Sequence, residues 1–171
     1  ETYSLLSTGY NYNGPAAVRY PRGKGLGIEI TREIKSIEIG KGLVRRAGHS
    51  TAILAFGSMV KPALEASETL DATVVDMRFV KPIDEQLIRE LAVSHQLIIT
   101  IEENVTMGGA GSAVNEFLTK ANIKVATLNL GLPDKFLDHG KASDMLANVS
   151  LDRKGVIQSV QNKLDECKSL D

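Results

Sequence analysis

Between Leu97 and Val114 the chain reads L-I-I-T-I-E-E-N-V-T-M-G-G-A-G-S-A-V. A short apolar, β-branched run fits a strand buried on both faces. It ends in Glu102, Glu103 and Asn104, passes Gly108, Gly109 and Gly111, and opens an amphipathic stretch. Val114, Phe117, Leu118 and Ala121 fall on one stripe of a helix over 110–121. Strand, glycine corner and helix in that order belong to an α/β sheet, and at such corners ligands or partner domains meet the sheet.

The same alternation recurs along the chain. Apolar runs at 51–56, 72–77, 97–101 and 123–130 predict strands, with helices between them. Gly57-Ser58 caps the first of these helices, with Val60, Leu64, Ser67 and Leu70 on its stripe and Pro62 in its first turn, where a missing N–H costs little. Pro82 and Asp84 start the next, with Leu87, Ile88, Leu91 and Ala92 inward. A short helix near 143–149 starts at Ser143. A last one after Asp152 places Val156, Val160, Leu164 and Cys167 on one face. Residues 37–46 alternate and lead through Gly48 into the 51–56 run, which reads as a hairpin. The fold class expected is α/β: a mostly parallel sheet covered by helices on both faces.

The N-terminal region reads differently. Residues 1–13 look helical, with Leu5, Leu6 and Tyr10 on one face, and Asn13-Gly14-Pro15 ends the helix. Residues 16–20 read as a short strand stopped by Pro21-Arg22-Gly23, and 23–36 as a linker. Such a strand would leave an unpaired edge. It is therefore expected to belong to the sheet of a larger unit, cut within that unit at Glu1.

Composition narrows the function classes. With a net charge of −1 and 43% apolar residues, no global field draws the chain to nucleic acid or membrane. No apolar run approaches the roughly 18 residues of a membrane helix. The single cysteine, Cys167, allows no internal disulfide and reads as a small apolar helix-face residue.

Several residues could carry chemistry. The N–H groups behind Met107-Gly108-Gly109-Ala110-Gly111-Ser112 could hold an anion. The stretch is not a phosphate-binding P-loop, since no Gly-Lys-Ser/Thr follows, and Val114 stands where a dinucleotide fingerprint needs its third glycine. Close packing of helix start on strand end accounts for the same glycines. Glu102 and Glu103 could transfer protons, but with no evident partner an interface or helix-capping role is the simpler account. In Tyr20-Pro21-Arg22-Gly23, with Arg19 just before, Arg22 is a rigidly presented fork suited to phosphate or carboxylate, or an ordinary turn arginine. His49, His95 and His139 are isolated, without metal-ligand spacing, and a helix C-terminal role explains His95. Asp76, Arg78, Lys81 and Pro82 read as a charged, solvated turn.

Four blocks then carry a resemblance: Y-N-Y-N-G-P-A-A-V-R-Y-P-R-G, V-V-D-M-R-F-V-K-P-I-D, E-E-N-V-T-M-G-G-A-G-S-A-V-N-E and L-N-L-G-L-P-D-K-F. In this order, over residues 3–140, the chain resembles the C-terminal part of the 1-deoxy-D-xylulose-5-phosphate synthase family, within the thiamine-dependent transketolase superfamily. The resemblance implies a three-layer α/β/α domain with a mostly parallel, mixed sheet over 37–171. Before it would stand the tail of a pyrimidine-binding domain at 1–23 and a linker at 24–36. It implies a homodimeric transferase of the cytoplasm, or of a plastid stroma, that condenses pyruvate with D-glyceraldehyde 3-phosphate and releases carbon dioxide. The product feeds isoprenoid, thiamine and pyridoxal synthesis. Thiamine diphosphate, held through magnesium, supplies the carbanion chemistry.

Arg22 matches the family's sugar-phosphate arginine. The magnesium-binding G-D-G…N motif, the cofactor-activating glutamate and the active-site histidines have no counterpart in this sequence. This chain alone is therefore expected to be inactive and to bind no thiamine diphosphate, with no catalytic, cofactor or metal residues of its own. Two rivals remain open. One is the C-terminal domain of a transketolase or of a 2-oxoacid dehydrogenase β subunit, against which D-M-R-F-V-K-P argues. The other is a non-catalytic binding module, which a reading frame starting near Glu1 would favour.

Overall fold

The apolar runs become one five-stranded sheet. The computed structural model describes residues 1–21 and 34–169, and these fall into two units, Glu1–Ile39 and Gly40–Asp171. In the larger unit the strands are β1 (Leu43–Arg46), β2 (Thr51–Ala55), β3 (Thr73–Asp76), β4 (Leu97–Val105) and β5 (Ala126–Leu132). Their order across the sheet is β1-β3-β2-β4-β5, with β1 antiparallel to β3 and every other pairing parallel.

Alternation along the strands divides the core in two. Ala52, Leu54, Val75 and Ile98 face α3 (Glu85–Ser94) and α4 (Ala110–Lys120), where Ile88, Leu91, Val114 and Phe117 close the layer. Ile53, Ala55, Val74, Ile99 and Ile101 face α2 (Val60–Leu70) and α6 (Arg153–Lys168), which supply Ala63, Ala66, Val156 and Val160. The result is the three-layer α/β/α domain with a mixed, mostly parallel sheet that the sequence implied. Each aliphatic side chain fully buried in these layers contributes about 1.5–3 kcal/mol.

Caps fix where the helices begin. Asp84 accepts from Leu87 N at 3.1 Å at the head of α3, and its second oxygen accepts from Gly42 N at 3.1 Å. Asp152 accepts from Gly155 N at 2.9 Å at the head of α6. A short helix α5 (Ala142–Asn148) precedes α6 and lays Leu146 on the second core. The histidine expected at a helix end does cap: His95 Nδ1 stands 3.0 Å from Leu91 O, while Nε2 faces the Thr73 hydroxyl at 2.8 Å.

Three expectations fail. Residues 37–56 do not form a hairpin, because β1 lies against β3 rather than β2. The connection passes under the start of β3, where Gly48 sits so close to the Asp71–Ala72 backbone that no side chain fits. Gly48 N donates to Thr73 Oγ1 at 3.0 Å, and Ser50, at φ 61°, turns the chain up into β2. Gly57-Ser58 forms a 3-10 turn ahead of α2 and gives it no side-chain cap. The stripe of α2 is rotated: Ala63, Ala66 and Ser67 are wholly buried and Val60, Leu64 and Leu70 only partly, because small residues let α2 approach α6 and the sheet closely. Residues 16–20 form no ladder here, and the expectation that they join the sheet of a larger unit falls on residues beyond this chain. Among the described residues no neighbouring strand pairs with them, and Val18 lies over Gly9 instead.

In the smaller unit, α1 (Thr2–Asn11) is tied to the extended segment at 34–38. Thr8 Oγ1 donates to Ser4 O at 2.7 Å and accepts from Ile37 N at 2.9 Å. Tyr10, Tyr12 and Tyr20 stand exposed.

Candidate functional site

The glycine corner is closed from within. Glu102 is 5% exposed at the end of the apolar part of β4. Its Oε2 accepts from Ala110 N and its Oε1 from Gly111 N, both at 2.8 Å. Those two N–H groups are among the unpaired donors at the head of α4, and a carboxylate there meets the positive end of the helix dipole. The position an external anion would occupy is filled by the chain's own side chain. Gly109 is a glycine because of it, and Gly111 because of its packing on the neighbouring strands. A Cβ on Gly109 would stand 2.5 Å from Glu102 Oε1, and one on Gly111 would collide with Asn129 Nδ2 and Thr100 Oγ1. Of the two readings of this corner, close packing with an acid as helix cap is the one the structure bears out.

Around the corner lie the carboxyl ends of the parallel strands. Ser58, after β2, donates its hydroxyl to Glu103 Oε2 at 2.5 Å. At the end of β3, Asp76 is 3% exposed and accepts from Arg78 N at 3.3 Å. Arg78 itself is half-buried with φ 57°. Other non-glycine residues at positive φ are Ser50, Asp71, Asn122 and Ser150, whose short polar side chains suit it. Arg78 is the long side chain held there, at a cost of roughly 1–2 kcal/mol. The reading of Asp76 and Arg78 as a solvated turn is therefore corrected. Charge spacing carries no trace of φ, and this is why the sequence did not reveal it.

The remaining candidates are dispersed. Arg22 lies outside the described residues, as does most of the linker placed at 24–36. His139 is exposed in the loop before α5. His49 forms a surface cluster at the opposite end of the sheet: its Nδ1 stands 2.8 Å from Asp71 Oδ2, and Arg46 donates to Asp71 Oδ1 at 2.8 Å and to Ala72 O at 2.7 Å. The Arg46 hydrogen bond, then that of His49, holds the Asp71 carboxyl below its usual range. Cys167 is half-buried on α6. Among the described residues no three of His, Cys, Asp or Glu stand together as a metal site, and no helix is long and apolar enough to cross a membrane.

Among the described residues an open groove lies by Thr106, after the end of β4. It measures about 560 Å³ and runs from Thr106 along Leu132, Pro133 and Leu137 to Met145 and Val149. Phe136 at its mouth is wholly exposed. Nothing in the sequence spacing singled it out.

Residues 40–156 match the family model described as "Transketolase, C-terminal domain". The chain belongs to that family. It is similar to the 1-deoxy-D-xylulose-5-phosphate synthases of Pseudomonas fluorescens (strain Pf0-1) and Pseudomonas aeruginosa (strain LESB58). With each it is 55% identical over 165 residues, covering 96% of this chain and 26% of the relative. The chain thus spans about a quarter of the length of those relatives. Among solved structures it is similar to a chain of a split-gene transketolase, an inactive β4 tetramer. The TM-score is 0.78 and the identity 30%, over 95% of this chain and 53% of that one.

Proposed function

We propose that this chain is the C-terminal region of a 1-deoxy-D-xylulose-5-phosphate synthase. The whole enzyme condenses pyruvate with D-glyceraldehyde 3-phosphate and releases carbon dioxide. The observation that carries this reading is the 55% identity to such synthases along 96% of the chain. Residues 1–23 are then the tail of the pyrimidine-binding domain, 24–36 a linker, and 37–171 the domain that packs against the rest of the enzyme and against a second copy.

Thiamine diphosphate, held through magnesium, supplies the carbanion chemistry in such an enzyme. The described residues do not fit it. The head of α4, where a diphosphate could sit, is taken by Glu102, and no acidic or histidine cluster stands ready for the metal. No step is assigned to this chain through that cofactor. On its own the chain is inactive and associates with itself, in keeping with its likeness to the split-gene transketolase described as an inactive β4 tetramer.

What the chain adds to the reaction is cationic. Arg22 binds the phosphate of the aldehyde substrate. Arg78, kept in unfavourable backbone at the carboxyl edge of the sheet, is a second arginine to test with it, because strain of this kind collects at functional sites.

The reading is tested on the full-length protein. A coupled assay should show turnover of pyruvate with glyceraldehyde phosphate and none of a ketose phosphate with an aldose phosphate; the reverse pattern would point to a transketolase. Arg22→Ala should raise KM for the phosphorylated aldehyde much more than for pyruvate. Equal effects on both would remove the phosphate role.

A further inference from the structure

Asp76 is a carboxylate buried where β3 ends. It pairs with Leu43 of β1 on one side and Ala55 of β2 on the other, and it is 3% exposed. Taking a carboxylate out of water is costly, so one kept there is expected to hold something in place. Valine or alanine, as elsewhere in β2 and β3, would fill the position without that cost.

What Asp76 holds is a turn. Met77 still belongs to the sheet: it is fully buried, and its N–H donates to Ala55 O at 2.9 Å. Phe79 N then donates to Met77 O at 2.5 Å, which makes Arg78 the central residue of a three-residue turn. With φ at 57° this is the strained hand of that turn, and an arginine left to itself would leave it. The Asp76 side chain closes a second ring over the same residue, since its Oδ1 accepts from Arg78 N at 3.3 Å. By this reach, two residues along the chain, an aspartate mimics a backbone turn. Strained backbone persists only where its surroundings over-determine it. Here the sheet fixes Met77 and the carboxylate fixes the Arg78 N–H. The direction in which the half-buried arginine leaves the chain is set between them.

We infer that Asp76 is a positioning residue: its hydrogen bond to Arg78 N holds the left-handed turn from which Arg78 meets the phosphate of the aldehyde substrate. This rests on the reading of Arg78 as a second arginine for that substrate, and it names what keeps the arginine in place. A pre-set backbone leaves less of the side chain to be ordered on binding, so the contribution of Asp76 appears as affinity for the anion.

The test is steady-state kinetics on the full-length enzyme, with KM for glyceraldehyde phosphate and KM for pyruvate read separately. Arg78→Ala should raise the aldehyde KM about thirtyfold and Asp76→Ala about tenfold. In both, KM for pyruvate should stay within about twofold, because only binding of the phosphate is lost. Asp76→Asn keeps an acceptor oxygen at the same reach, so its rise should be no more than about threefold. With both residues changed to alanine the rise should match that of Arg78→Ala alone, since two residues acting through one contact do not add.

An aldehyde KM unmoved by Arg78→Ala would remove Arg78 from the phosphate site, and this role of Asp76 with it. If Arg78→Ala raises that KM while Asp76→Ala leaves it unmoved, or raises both KM values equally, the positioning role falls and Arg78 stands. Full additivity in the double variant would also overturn it. Should Asp76→Ala fail to fold, Asp76→Asn and Asp76→Ser decide. Serine, a shorter acceptor, should fall between asparagine and Arg78→Ala in aldehyde KM, and any other order would contradict the inference.

Discussion

The glycine corner and the groove behind it share strands β4 and β5, yet they solve opposite problems. At the corner Glu102 satisfies the Ala110 and Gly111 N–H groups at the start of α4, and Gly109 leaves the room it needs. At the groove a bare phenylalanine stands exposed beside a lining that mixes polar and apolar residues. The contrast teaches where to look for function in this domain. A conspicuous glycine-rich turn can be a closed structural joint, and an open surface can lie in a loop whose residue spacing carries no chemistry.

Substitutions should separate the two regions. The largest loss is expected for Glu102→Ala, which strands two buried N–H groups and removes a charge from the head of α4. Denaturant unfolding should show a loss of about 3 kcal/mol. A neutral result would mean that water, and hence an outside anion, reaches the helix head. Gly111→Ala comes next, at about 1–3 kcal/mol, because its Cβ must displace Asn129 and Thr100. Gly108→Ala meets no atom within 4 Å and suffers only from its φ of 69°, so its cost should be about 1 kcal/mol. Reversal of that order would mean the corner is looser than its geometry.

Smaller still is the effect of acid on Asp71. Its folded pKa is depressed, so its contribution is present above the unfolded value and lost as pH falls through the folded one. Stability should therefore gain a shallow acid limb below about pH 4, and Asp71→Asn should flatten that limb in urea titrations. The carboxylate is largely exposed and screened by solvent, so the limb is slight. Phe136→Ser closes the series. It should change unfolding free energy by less than about 0.5 kcal/mol. A large loss would show that the ring already serves the fold.

The legible part of the structure was the part written in local periodicity. The 51–56, 72–77 and 97–101 runs and the helices between them stand where their apolar spacing put them, and this was enough for a covered, mostly parallel sheet. The misplaced partner of β1 shows the limit: alternation reveals a strand, but Gly48 passing under Asp71 and Ala72 is a contact across more than twenty residues. The same holds at the site. Glu102 was visible as a possible cap, while its reach to two N–H groups eight and nine residues on was not. The left-handed backbone of Arg78 and the bare ring of Phe136 leave no mark in spacing, because each depends on what the folded chain does or does not place beside it.

Amide hydrogen exchange resolved by residue tests the contrast most directly. Ala110 and Gly111 should exchange slowly, because Glu102 holds them. Amides at 136–138, in the loop beside the open groove, should exchange fast. Fast exchange at Ala110 and Gly111, or slow exchange at 136–138, would contradict the account.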